Sequence, residues 1–270
     1  MGKMRLAVTK LIILFVSFMV VCLILANLCD AKIDPKTCVG AWLFDEGKGD
    51  TAKDSSENGN DGKLTNNPKW DQGKFGNALN FVNANDYVEV PDSPKLNPEK
   101  SFTVVAWIKP NSFPGYSPVI DKEWFEVKPQ FSFGYPSDKK MGLWFDTQAK
   151  VEDAIQATTI FTQGTWYFVA ASFDNGKVKI YVNGSLENSK TSGTVTVLRV
   201  NDTANLCIGS EKTSRNLDGI IDEVAIFNVA LADEDIKSIM NDGLAKSVNL
   251  NAVEPTGKLA SAWGEIKELR

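Results

Sequence analysis

The stretch Leu217-Asp-Gly-Ile-Ile-Asp-Glu-Val-Ala-Ile-Phe-Asn-Val-Ala-Leu-Ala-Asp-Glu-Asp-Ile236 decides how this chain is read. Ile220 to Phe227 is rich in β-branched and apolar residues behind the turn residue Gly219, which specifies a strand. Leu231, Ile236, Ile239 and Met240 then recur at helical spacing, with Asp233, Glu234 and Asp235 placing negative charge in the first turn. Gly243 is the stop. A long strand closing a β-domain and a short helix across its edge is the local reading.

Working outward, Phe102 to Ile108 and Trp166 to Phe173 are apolar on both faces and belong at the centre of stacked sheets. Lys177 to Val182 alternates strictly, with Val178, Ile180 and Val182 inward and hairpin signals at Asp174-Asn-Gly176 and Asn183-Gly184. Gln130 to Tyr135 and Met141 to Phe145 read as another hairpin across Pro136 to Lys140, and Val195 to Val200 and Leu206 to Ser210 as the last strands before the closing one. About a dozen short strands at hairpin spacing, without βαβ alternation, predict an all-β fold. The architecture expected is an antiparallel two-sheet jelly-roll sandwich with one short helix after the closing strand.

The closing stretch, preceded by Ile208-Gly-Ser210, resembles the end of laminin G-like domains of the concanavalin A-like lectin/glucanase superfamily. Four further segments agree in order: Ala41 to Gly49, Phe75 to Phe81 with Asp86 to Val90, Ser101 to Ile108, and Trp166 to Ala170 with Ile180 to Gly184. The resemblance runs from about Ala41 to Gly243 and implies a jelly roll of pentraxin-like kind; one sandwich fold hosts many functions, so the ligand is a separate question.

The chain of 270 residues carries a formal charge of −5 and no histidine. That excludes Ser-His-Asp and Cys-His nucleophile systems and His-ligated zinc. Scattered lysines in an acidic balance give no nucleic-acid footprint. Lys3, Arg5 and Lys10 precede an apolar run from Leu11 to Ala26, the pattern of an export signal cleaved after Ala31 or, alternatively, of a retained membrane anchor. The organisation expected is therefore 1–31 signal segment, 32–245 jelly roll, and 246–270 a tail whose Leu259, Trp263, Ile266 and Leu269 form one helical stripe. The product would be secreted, periplasmic or at the cell surface.

Laminarinase-type enzymes of this fold carry an E-x-D-x-E or E-x-D-x-x-E strand, which places carboxylates on one face as retaining glycosidases require. Here the nearest cluster, Asp121-Lys-Glu-Trp-Phe-Glu126, has another order and reads as a loop. No catalytic residue is assigned. Asp54-x-Ser-x-Asn58-Gly59 imitates half an EF-hand loop, but Thr65 stands where the bidentate Glu belongs, so it reads as a surface turn.

Calcium is the cofactor the resemblance suggests, in two settings. Asp45 and Asp222 would converge if the first and closing strands pair, with Asp86 and a loop carbonyl completing the shell; a pentraxin-like rim would use Asp138 and Glu211, although Lys139, Lys140 and Lys212 crowd it. Solvated turns are the alternative for all of them. Tyr116, Trp124, Phe125 and Tyr135 occur in or beside loops with Asp121, Glu123 and Asp138 nearby, a composition suited to stacking and hydrogen-bonding a sugar, or to packing under a long loop. Trp42, Trp107, Trp144 and Trp166 are assigned mostly to the core. Cys38 and Cys207 read either as a disulfide between neighbouring first and last strands or as two buried thiols.

The functional expectation is an exported, non-catalytic module binding carbohydrate or a cell-surface glycoconjugate. A protein–protein adhesion domain is the second reading and a polysaccharide hydrolase the third.

Overall fold

The computed structural model describes residues 33–124, 127–147, 153–191, 196–200, 203–212 and 215–250, with backbone alone at 123, 124 and 127–129. The expected signal segment, Phe125 and the expected tail stripe lie outside the described residues. Among the described residues, no helix is long and apolar enough to cross a membrane.

Among the described residues, sixteen strands form two antiparallel sheets. The first has the order β14-β13-β12-β7-β16-β5-β4, with β1 also pairing β16. These are β1 (Cys38–Trp42), β4 (Lys69–Gln72), β5 (Asn77–Phe81), β7 (Ser101–Pro110), β12 (Tyr167–Asp174), β13 (Lys177–Val182), β14 (Ser185–Thr191) and β16 (Gly219–Phe227). The second has the order β11-β10-β9-β8-β15-β6-β3-β2. It comprises β2 (Thr51–Ala52), β3 (Gly62–Thr65), β6 (Tyr87–Val90), β8 (Ser117–Trp124), β9 (Val127–Tyr135), β10 (Gly142–Phe145), β11 (Asp153–Gln156) and β15 (Leu206–Ile208).

The doubly apolar β7 and β12 do sit centrally in the first sheet, because each must be covered on both faces. Their inward residues, among them Val104, Ala106, Val169 and Ala171, meet Phe131, Phe133, Leu143 and Phe145 of the second sheet. Full burial of the valine, leucine and phenylalanine side chains among them stabilises by roughly 1.5–3 kcal/mol each. On the other face of the first sheet, Trp107, Phe168, Tyr181 and Phe227 are covered by Ile236 and Ile239 of α1 (Asp233–Asp242) and by Leu244 and Val248 of α2 (Leu244–Val248). Among the described residues two short helices thus follow the closing strand instead of one, since Gly243 (φ 80°) turns the chain without ending helical structure. Of the strand expected at Val195 to Val200, the described residues 196–200 form none; within them Leu198 makes a single bridge to Thr147.

β16 pairs β7 along one side, and β5 followed by β1 along the other. Where β5 gives way to β1 its register slips between Asp222 and Ala225, and Glu223 takes φ 53°. At that bulge two successive carboxylates are buried, Asp222 accepting from the Lys74 and Phe75 amides and Glu223 from the Leu244 amide.

The disulfide reading is corrected by this topology. Cys38 lies in the first sheet beside β16, whereas Cys207 lies in the second between β6 and β8; both are free and buried. Chain order made β1 and β15 look adjacent, but sandwich strands that follow one another in sequence often change sheet.

Candidate functional site

The outward face of the second sheet holds the polar and aromatic chemistry. Strand alternation sends Val88, Ile120, Phe133, Leu143 and Ile155 inward and their neighbours outward. Register aligns the outward residues into one row across seven strands: Lys63, Glu89, Cys207, Asp121, Ser132, Trp144 and Ala154. Trp144 is half-buried, and an added Cβ on Gly142 would meet its ring at 2.5 Å. The glycine two residues earlier therefore lets the indole lie back along its own strand.

Tyr116, half-buried on the β7–β8 loop, meets Trp144 edge to face with centroids 5.0 Å apart. Its hydroxyl lies 2.5 Å from Ser132 Oγ, which donates to Asp121 Oδ2 at 2.5 Å. Asp121 is only 1 % exposed, so it orients this relay from beneath. The expectation of a loop at Asp121 is corrected, since Ser117–Trp124 is a strand.

The loop after β15 folds back over this face. Ser210 bridges Asn216, and Ser210 Oγ and the Glu211 amide both donate to the Arg215 carbonyl. The Arg215 guanidinium is thereby placed 5.6 Å from the Tyr116 ring centroid and 3.2 Å from Glu211. Lys212 pairs Glu89 and stands 6.0 Å from the Tyr87 ring. The Lys212 hydrogen bond, against burial and with help from Asn205, holds the Glu89 carboxyl below its ordinary value. Burial pushes the Cys207 thiol beneath them up to about 12.

Of the residues expected from sequence, Tyr116 belongs to this cluster. Glu211 borders it, 3.2 Å from Arg215. Asp138 is exposed on the β9–β10 turn, where it accepts from the Lys140 amide at 3.2 Å and Gln156 Nε2 at 3.4 Å. Tyr135 is a correction. Although it precedes the Pro136 turn, it is fully buried between Phe113 and Phe161, and burial raises its phenol above the ordinary range. Trp124 lies on β8 with its side chain undescribed, and Phe125 lies outside the described residues. Trp144, Ser132, Glu89, Lys212 and Arg215 were missed. The signal available was the alternation of Leu143-Trp144-Phe145 behind Gly142, which exposes the middle residue.

Asp45 and Asp222 do converge, at the β4–β5 turn. Asp222 Oδ2 accepts from the Lys74 and Phe75 amides at 2.8 and 2.9 Å, and Asp45 Oδ1 accepts from the Asn77 amide at 2.9 Å. A Cβ on Gly76 would stand 1.8 Å from Asp45 Oδ1, so glycine is required for that approach. Burial, with Glu223 and Asp45 as like charges, raises Asp222 to about 8; burial and Asp45 raise Glu223 to about 7. Asp86 Oδ2 accepts from the Asn83 amide and Nδ2, in the turn that precedes β6. Among the described residues, no group of three or more acidic or cysteine side chains is arranged to hold a metal. Asp54, in the EF-hand-like turn, accepts from the Ala41, Ser56 and Asn60 amides and is spent on shaping its loop.

A polar cavity of about 560 Å³ lies elsewhere, lined by Lys36, Ser55, Asn58, Lys95 and Leu250. Among the described residues no aromatic side chain lines it, and Leu250 leads there into residues outside the described set.

No curated protein sequence matches the chain. Among solved structures, it is similar to the binding domain of Paraclostridial Mosquitocidal Protein 1 (TM-score 0.63, 15 % identity), covering 77 % of this chain and 52 % of that one. It is also similar to domain 4 of AbnA, a GH43 extracellular arabinanase from Geobacillus stearothermophilus, in complex with arabinotriose (0.61, 21 %), covering 76 % of this chain and 98 % of that domain. Trypanosoma rangeli sialidase matches at 0.57 and 18 %, over 75 % of this chain and 32 % of the sialidase. The chain thus spans about half of the first of these proteins and a third of the last. These likenesses establish the jelly roll. A laminin G-type family model matches residues 82–237, well over half of the chain, and the chain belongs to the concanavalin A-like lectin/glucanases superfamily.

Proposed function

We propose that the chain is an exported, non-catalytic carbohydrate-binding module whose ligand lies on the outward face of the second sheet. The observation that carries this reading is the Tyr116–Trp144 pair above the Ser132–Asp121 relay. Indole and phenol rings offer faces to the apolar side of a sugar ring, and the flanking carboxylates and hydroxyls take its hydroxyl groups. The solved arabinanase domain with arabinotriose supports the reading by its similar fold. The basic and apolar leader supports export.

Calcium is proposed as a structural companion, held by Asp45 and Asp222. The buried Asp222 Oδ1 has no hydrogen-bond partner among the described residues, and the crowded carboxyls would lose their mutual repulsion to a cation. When bound, the ion would tie the β4–β5 turn to β16 at the opposite sheet from the sugar face.

The test is calorimetric titration of the mature chain with neutral plant and bacterial oligosaccharides, alongside a reducing-sugar assay. Saturable binding without product release is expected; release of reducing ends would make the protein a hydrolase.

A further inference from the structure

Resting on the glycan-binding reading, the surroundings of Trp144 identify the polar group that reads the sugar. Trp144 and Gly142 stand two residues apart on β10 and share the outward face. Trp144 pairs with Ala154 of β11 and Gly142 with Gln156, so Gln156 lies on that face too. A Cβ placed on Gly142 would stand 2.5 Å from Trp144 Cη2 and 3.2 Å from Gln156 Cγ. The six-membered end of the indole and the stem of Gln156 therefore flank the same point of bare backbone.

The amide at the end of that stem is held but not consumed. Its Nε2 donates to Asp138 Oδ2 at 3.4 Å, beyond the usual range of about 2.7–3.2 Å for such contacts. Asp138 is itself anchored on the β9–β10 turn, where Oδ1 accepts from the Lys140 amide at 3.2 Å. The Gln156 backbone oxygen accepts from Asn188 Nδ2 at 2.9 Å, which fixes the strand beneath the side chain. Half-buried Gln156 thus keeps Oε1 and its second Nε2 proton clear of any partner among the described residues.

An acceptor and a donor side by side match two hydroxyls on neighbouring carbons of a sugar ring. One hydroxyl donates to Oε1 while the other accepts from Nε2. With the apolar side of the ring on the indole, the adjoining strand sets this amide at the ring's edge. The match needs no charge on either side.

We propose that Gln156 is a specificity-determining residue of the sugar face, holding two neighbouring hydroxyls of the unit stacked on Trp144, with Asp138 positioning its amide.

The experiment titrates wild type, Gln156→Leu and Asp138→Ala with arabinotriose, xylotriose, cellotriose and galactotriose, whose neighbouring hydroxyls differ in orientation, with Tm measured in parallel. Gln156→Leu keeps the stem beside Gly142 and removes the amide. For the trisaccharide that wild type binds best, its affinity is expected to fall at least about fivefold, the worth of two neutral hydrogen bonds. Preference among the four sugars is expected to narrow, with Tm within a few degrees of wild type. Asp138→Ala leaves the amide in place but free to turn, and is expected to cost less, about twofold to threefold. Undiminished affinity, or an unchanged order of preference, in folded Gln156→Leu overturns the inference while the glycan reading stands on Trp144. Binding of no sugar by wild type removes both.

Discussion

Tyr116 stands edge-on to Trp144 at 5.0 Å while its hydroxyl is anchored 2.5 Å from Ser132, so one side chain joins the aromatic surface to the polar relay. The two roles are separable by substitution. Tyr116→Phe keeps the ring and removes the oxygen, and is expected to weaken sugar binding by about fivefold to tenfold, the worth of a hydrogen bond of about 1–1.5 kcal/mol. Ser132→Ala leaves the phenol without its anchor and is expected to cost a similar factor. Titration of both variants checks this; unchanged affinity in both would show that the relay is structural.

Stability should fall on the alkaline side. Asp222, raised to about 8, and Glu223, raised to about 7, are held by the fold in a preference for their neutral forms. In the unfolded chain each ionises at its ordinary value, so their contribution is complete below about pH 4 and is lost as pH rises through 7 and 8. The acid side behaves oppositely. Lys179 and Tyr181 hold Asp233 low, and Lys212 holds Glu89 low, so those contributions vanish as pH falls. In chelator, Tm is expected to decline from pH 6 to pH 9, by about 2–4 °C for each kcal/mol lost. Asp222→Asn, which keeps an acceptor for the Lys74 and Phe75 amides, should flatten that decline. A wild-type Tm that rises over the same interval would contradict the account.

Cys38 and Cys207 should both be thiols. Each is buried, and burial pushes each up to about 12. A thiol reagent at pH 8 is expected to find neither in the folded protein and both after unfolding without reductant. Recovery of the two equivalents only after reduction would reinstate the disulfide.

Calcium in excess should raise Tm if it joins Asp45 to Asp222, by mass action worth about 2.7 kcal/mol at a hundredfold excess over Kd. Asp222→Asn should abolish the rise, and Glu211→Gln should leave it intact. Equal midpoints in calcium and chelator would assign these carboxylates to backbone anchoring alone.

The fold was legible because its strongest signals are local. β7 and β12 are apolar on both faces, β13 alternates, and the closing strand leads into an acidic helix start. The site was less legible because it depends on which face a residue takes within an apolar run. Trp144 sits between Leu143 and Phe145, and composition alone cannot distinguish the outward member. Tyr135 erred the other way, since proximity to Pro136 suggested a loop while alternation from Phe131 and Phe133 carried it inward. Asp121 and Ser132 come together through β8–β9 pairing, and Arg215 reaches Tyr116 only through the fold-back of a distant loop.

The most direct test of the sugar face is Trp144→Ala. Calorimetric titration should use whichever neutral trisaccharide the wild type binds, with Tm measured in parallel. Loss of at least about 1–3 kcal/mol of binding, the range of aromatic edge and stacking contacts at hot spots, with a Tm within a few degrees of wild type, is the expected result. Undiminished affinity in a folded Trp144→Ala protein would place the ligand elsewhere and contradict the account.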